Sequence, residues 1–256
     1  MNIQRSIPSR LLVLAIAIAF LATAGMASAA ERTFSQTYDL ASGGNISLDN
    51  INGDVTIEGT SGNQVIVDAV ISSRSAEALD EVEIEVDASS NSISISTEYD
   101  NSRKNRRNSA SVDYTLRVPR DANLNEISLV NGSLEIQDVA GDVEASLVNG
   151  NLVAKGLAGD AELDTVNGSL EVHFDRLDSN QRIEMDSVNG SLDLYVPAGI
   201  GATVDASTLH GRMSNDFGIE VDKSGYVGKE MKGTIGGGGA RISLDSVNGA
   251  ITLHQR

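Results

Sequence analysis

From Ser128 to Val172 the chain consists of five nonapeptides laid end to end: SLVNGSLEI, QDVAGDVEA, SLVNGNLVA, KGLAGDAEL and DTVNGSLEV. Gly132, Gly141, Gly150, Gly159 and Gly168 fall nine residues apart each time. The unit recurs as DNINGDVTI (49–57), DSVNGSLDL (186–194) and DSVNGAITL (245–253), and in degraded form as STLHG (207–211), where His210 replaces asparagine. A repeat this small cannot bury an apolar face alone, so the units must stack on one another.

Asn-Gly tolerates φ > 0 at two successive positions, so each such pair marks a tight turn. The turn pairs are Asn52-Gly53, Asn131-Gly132, Asn149-Gly150, Asn167-Gly168, Asn189-Gly190 and Asn248-Gly249. After each turn the side chains alternate, with Ser133 out, Leu134 in, Glu135 out and Ile136 in, which is a strand with one buried face. Val130, Val139, Val143, Ala145, Val148, Leu152 and Ala154 extend that apolar set. Asn-Gly units alternate with Ala-Gly-Asp units, so the structural period is 18 residues, two strands per coil. Like residues then stack at about 4.8 Å, and Asn131, Asn149 and Asn167 form an amide ladder at one corner. The fold class is all-β, a β-solenoid of single-stranded β-helix type. An antiparallel meander closed by Asn-Gly hairpins is the rival.

Three segments follow. Residues 1–29 are a signal peptide, 30–127 a less regular strand-rich part, and 128–256 the repeat-built part with excursions at 173–185 and 195–244. The signal reading rests on Arg5 and Arg10, the apolar run Leu11–Leu21 and the small residues Ala27-Ser28-Ala29. That run is shorter than the roughly 20 residues of a membrane span, so no stable membrane insertion is expected after cleavage. The protein is expected to be exported, with the periplasm the simplest destination and the cell surface or medium the others. The formal charge is −17, or −19 once Arg5 and Arg10 leave with the signal. A charge of that sign repels nucleic acid and anionic lipid. With no cysteine there are no disulfides and no thiolate metal sites.

The stretch VDYTLRVPRDANLN (112–125), the string of VNG units and the closing GGGGARISLDSVNGAITLH (236–254) carry a resemblance over nearly all of the mature chain. They resemble the bacterial "putative adhesin" domain family, related to the "head GIN" auto-transporter adhesins. That resemblance implies an extracytoplasmic β-helix-like fold and no catalytic residues.

The candidate binding element is the basic cluster Arg103, Lys104, Arg106 and Arg107, whose forks suit phosphate, sulfate or carboxylate groups; a solvated hairpin tip is the plainer account. Outward carboxylates at Glu135, Glu144, Glu162, Glu171 and Asp193 form rows that read as a solvated acidic surface. The run Gly236–Gly239 leads into a strand and is not a phosphate loop. His173, His210 and His254 lack metal-ligand spacing, and no serine is tied to a histidine, so no cofactor, metal or catalytic triad is expected. The expected function is non-enzymatic binding or scaffolding in the cell envelope, adhesin-like, with a glycan or an envelope or cell-surface protein as partner. The alternatives are a polysaccharide-active β-helix enzyme and a periplasmic envelope-stress or partner-binding protein.

Overall fold

A computed structural model describes residues 30–99, 110–222 and 228–256; the proposed signal peptide and the cluster Arg103, Lys104, Arg106 and Arg107 lie outside the described residues. In chain order the first strands are β1 (Ala30–Asp39), β2 (Asn45–Asn52), β3 (Val55–Thr60), β4 (Gln64–Ser73), β5 (Val82–Ala88), β6 (Ser92–Tyr99) and β7 (Ser111–Pro119), with one helical turn, α1 (Ala76–Leu79). The repeats supply β8 (Asn123–Asn131), β9 (Leu134–Gln137), β10 (Val143–Asn149), β11 (Leu152–Leu157), β12 (Ala161–Asn167), β13 (Leu170–Phe174), β14 (Arg182–Asn189) and β15 (Leu192–Val196). The last third holds β16 (Ala202–Thr208), β17 (Met213–Asn215), β18 (Val221–Asp222), β19 (Lys229–Ile235), β20 (Ala240–Asn248) and β21 (Ile251–Gln255).

These strands form two large mixed sheets. Sheet A runs β1-β4-β7-β3-β9-β11-β13-β15-β21-β17, and sheet B runs β5-β6-β2-β8-β10-β12-β14-β20-β16-β19-β18. From β8 to β15 the chain alternates between them, one strand in each per layer, and the inward faces of both feed one buried cluster. Pairing between layers is parallel and in register at 18 residues: Glu144 opposes Glu162 in sheet B, and Leu134, Leu152 and Leu170 line up in sheet A. The seven residues between β13 and β14 lengthen the step to 22, so that Asp164 faces Asp186.

The corners differ from the expected turn chemistry. The only non-glycines with positive φ among the described residues are Glu126 and Asp138, so no corner asparagine adopts the left-handed conformation. Gly150 is close to extended at φ 158. Its lack of a side chain matters because the layers touch there: a Cβ on Gly150 would lie 1.9 Å from the Gly132 carbonyl oxygen. The Gly150 amide meanwhile donates to the Asn167 carbonyl at 3.0 Å. The asparagines form the amide ladder: each Nδ2 of Asn131, Asn149, Asn167, Asn189 and Asn248 donates at 3.0 Å to the Oδ1 of the asparagine one layer before, starting from Asn52. At the opposite corner Asp142 Oδ1 accepts the Asp160 amide at 2.9 Å, and Asp160 Oδ1 the Arg182 amide at 3.0 Å. These corner asparagines and aspartates thus tie one layer to the next, and the ladder sets the register that apolar burial alone leaves degenerate along the stack.

One placement of core residues also changes. Val130 and Val148 were expected inward, but they are 40% and 41% exposed, while Leu129 and Leu147 point into the core. Strict alternation from Ala145 inward puts Leu147 in and Val148 out. Val-Asn-Gly therefore presents its valine to solvent.

Candidate functional site

The outer face of sheet B carries a groove of about 1150 Å³. It runs across the strands, along the stack. One side is an unbroken row of aliphatic side chains, one per layer: Ile51, Val130, Val148, Val166, Val188, Val247 and Leu209. Each is 38–49% exposed. Seven residues at the parallel-sheet spacing make a stripe about 29 Å long. Exposed apolar side chains scattered singly need no explanation, whereas a contiguous row does.

Two residues back along each strand stands a polar row: Asp49, Ser128, Ser146, Asp164, Asp186, Asp245 and Ser207. In-register pairing places Asp164, Asp186 and Asp245 side by side. Two residues further back, Glu144, Glu162 and Glu184 form a third row beside them. Burial first, then Asp164, Asp245, Glu184 and Glu162, push Asp186 up from 3.8 to about 6. Asp164 shifts the same way, through burial and then Glu162, Glu184 and Glu144, against a hydrogen bond with Ser146 that lowers it. The groove is closed at one end by Ser96 and Glu98 of β6 and at the other by Gly228, Lys229 and Glu230. Among the described residues no aromatic residue and no arginine lines it.

Sheet A presents a different outer face. Its central strands show Glu135 and Gln137, Val153 and Lys155, Glu171 and His173, Asp193 and Tyr195, then Thr252 and His254. The Tyr195 ring is stacked between His173 and His254 with centroids 4.1 and 4.2 Å away. Glu171 Oε1 lies 2.8 Å from His173 Nε2, and Asp193 Oδ1 lies 3.5 Å from His254 Nε2. Two histidines far apart in sequence are thus brought together, while His210 stays at its corner. The signal for this was present in the repeat alignment, since His173, Tyr195 and His254 occupy one position of the unit.

Of the carboxylates singled out from sequence, Glu144 and Glu162 flank the groove, and Glu135, Glu171 and Asp193 lie on sheet A. The Asp164–Asp186–Asp245 row and the valine stripe do not stand out in the sequence. Aspartate opens several of the repeats, and the valine before each Asn-Gly reads as core.

No protein-family model matches the chain, and no curated protein matches it. Solved structures do. A "putative cell adhesion protein" from Clostridium sporogenes is 13% identical, with a TM-score of 0.52, over 88% of this chain and 100% of that one. A "putative adhesin" from Bacteroides fragilis is 15% identical, with a TM-score of 0.37, over 88% and 97%. The first likeness shows a shared fold. Among the described residues no helix is long and apolar enough to cross a membrane.

Proposed function

We propose that the chain is a non-enzymatic binding protein of the bacterial cell envelope, a two-sheet β-solenoid of the adhesin-like family that the VPRDA and VNG motifs resemble. In this reading it is exported by residues 1–29 and offers the outer face of sheet B to its partner. The observation that carries this is the seven-residue aliphatic stripe held in solvent beside the carboxylate row, along a groove spanning the stack. Every one of those positions faces outward, where serine or threonine would serve the fold equally well. The name of the Clostridium structure, which shares the fold, agrees with a binding role. A protein partner fits better than a glycan, because the groove's described lining is an aliphatic row beside carboxylates, without an aromatic platform among the described residues.

The enzyme alternative draws on Asp186, whose raised pKa suits a general acid. Glycoside hydrolysis needs two carboxylates on opposite sides of the scissile bond. Here the aspartates stand in one row, faced across the groove by aliphatic side chains, which supports binding over turnover.

The test is cosedimentation of the purified mature chain with isolated envelope fractions, comparing wild type with V148S/V166S/V188S. All three residues are exposed, so the variant should keep the wild-type melting temperature. Attachment should weaken at least tenfold; undiminished attachment by the folded variant overturns the reading.

A further inference from the structure

Resting on that reading of the groove, we infer that its occupant is a cationic amphipathic helix of about 20 residues, carried by a partner polypeptide and laid along the stack. The dimensions argue for a helix. The aliphatic stripe is about 29 Å long, which an α-helix spans in about 19 residues at 1.5 Å each. From the valine row to the glutamate row is four residues of strand, about 13 Å, against a helix diameter of about 10–12 Å. The groove lies on the face of central strands whose backbone groups are already paired on both sides. An incoming strand would find no free edge there, whereas a helix needs only side-chain contacts, through an i, i+3, i+4, i+7 apolar face.

Charge selects the sign of the partner. Val148, Val166 and Val188 receive the apolar face. Asp164, Asp186 and Asp245, with Glu162 and Glu184 behind them, stand where lysines or arginines flanking that face would reach. Crowded like charges raise one another's energy, and an incoming cation relieves that repulsion, which steers association and fixes which side of the helix faces the acids. A second copy of this chain would bring aspartate rows against aspartate rows, and an anionic lipid surface is repelled for the same reason.

The probe is a fluorescent 20-residue helical peptide with leucines on one face and lysines flanking it, titrated into the full mature chain and followed by anisotropy. Its controls are a scrambled sequence of the same composition and a version with glutamate for lysine. The amphipathic peptide is expected to saturate at one per chain and to bind at least tenfold more tightly than either control. V148S/V166S/V188S and D164N/D186N/D245N should each weaken it at least tenfold, and only the second variant should lose most of the salt dependence. Equal binding of the scrambled peptide, or undiminished binding by both variants, overturns the inference. Concentration-dependent dimerisation of the wild type that V148S/V166S/V188S abolishes also overturns it, by making a second copy the occupant. If no peptide binds while the valine variant still loses envelope attachment, the helix chemistry falls and the groove stands; if envelope attachment survives as well, both fall.

Discussion

The repeat layers in the middle of the stack and the hairpin-bearing layers at its N-terminal end solve the same problem with different chemistry. From β8 to β15 every inter-layer contact is parallel, and register is held from outside the core by asparagine amides at one corner and aspartates at the other. In the end layers β4 and β1 add antiparallel strands to β7, and β5 adds one to β6. There a buried polar network does the holding. Asn50 stands where the repeats have Leu129 and Leu147; its Nδ2 donates to the Val112 carbonyl at 2.9 Å, and its Oδ1 accepts from Thr97 Oγ1 at 3.2 Å. Thr97 in turn bonds the Tyr114 hydroxyl at 2.8 Å, and burial pushes that phenol up to about 12. Repetition allows exposed and identical ties; where the first repeat unit meets the unrepeated β6/β7 layer, a specific buried one is added.

The sharpest way to test this contrast is through glycine. Gly150→Ala drives a methyl into the carbonyl of the layer below and is expected to cost about 3 kcal/mol or more in urea unfolding. Gly43, between β1 and β2, has φ 68 and open space around its would-be Cβ. Gly43→Ala should therefore cost only the left-handed strain, about 1 kcal/mol. Equal costs would mean that corner contact between layers is not what selects glycine in the repeats.

Next comes the buried network. Asn50→Leu makes the β2 layer resemble the β8 layer, yet it strips partners from Val112 and Thr97. A loss of about 2 kcal/mol is expected by calorimetry; a gain would show that the β2 layer is simply a worse repeat. Asn149→Ala breaks two links of the exposed ladder and should cost about 1 kcal/mol. No change would leave register to the core alone.

The smallest effect has the opposite sign. Asp186 has a higher pKa folded than unfolded, so the native state binds more protons between about pH 4 and 6, and stability falls as pH rises through that window. Asp186→Asn should stabilise the protein at pH 7 by about 1 kcal/mol, after discounting for the solvent screening of a partly exposed group. The gain should vanish near pH 4. A constant gain across that range would assign it to something other than charge crowding.

Much of the middle of the stack was legible in advance because the repeat supplies its own alignment. The 18-residue register and the asparagine ladder follow from glycine spacing. Two readings of the same motif change. Asn-Gly reads as a hairpin turn with φ > 0, and Gly53 does have φ 123, but Gly132 and Gly150, at φ 158, are close to extended, and a neighbouring layer's carbonyl is what excludes a side chain there. Val130 and Val148 read as core because apolar residues beside a turn usually are; strand parity, counted from Ala145, points them out. The groove is hard to read in the sequence for that reason, since its apolar wall has the composition of core. The β1–β4–β7 pairings depend on partners distant in sequence, which local pattern does not specify.

Spatial order and chain order part company at both ends of the stack. Sixteen of the described strands pair into eight layers, with β1, β4 and β5 beyond β6/β7 and β18 and β19 beyond β16; β2/β3 lies between β6/β7 and β8/β9, while β20/β21 lies between β14/β15 and β16/β17. The first and last repeat units are therefore each slotted one layer in from the outermost of these eight. The stack cannot grow by simple addition from one end as the chain emerges, because the slot beside β14 and β15 must wait for residues 240–255. Until they arrive, two sheets present unpaired edges of the right spacing and register to any passing strand, including the same segment of another molecule. Such late, long-range closure belongs to slow folding. A molecule built this way is most exposed to exchanging its final strands with a neighbour in the interval between synthesis and closure.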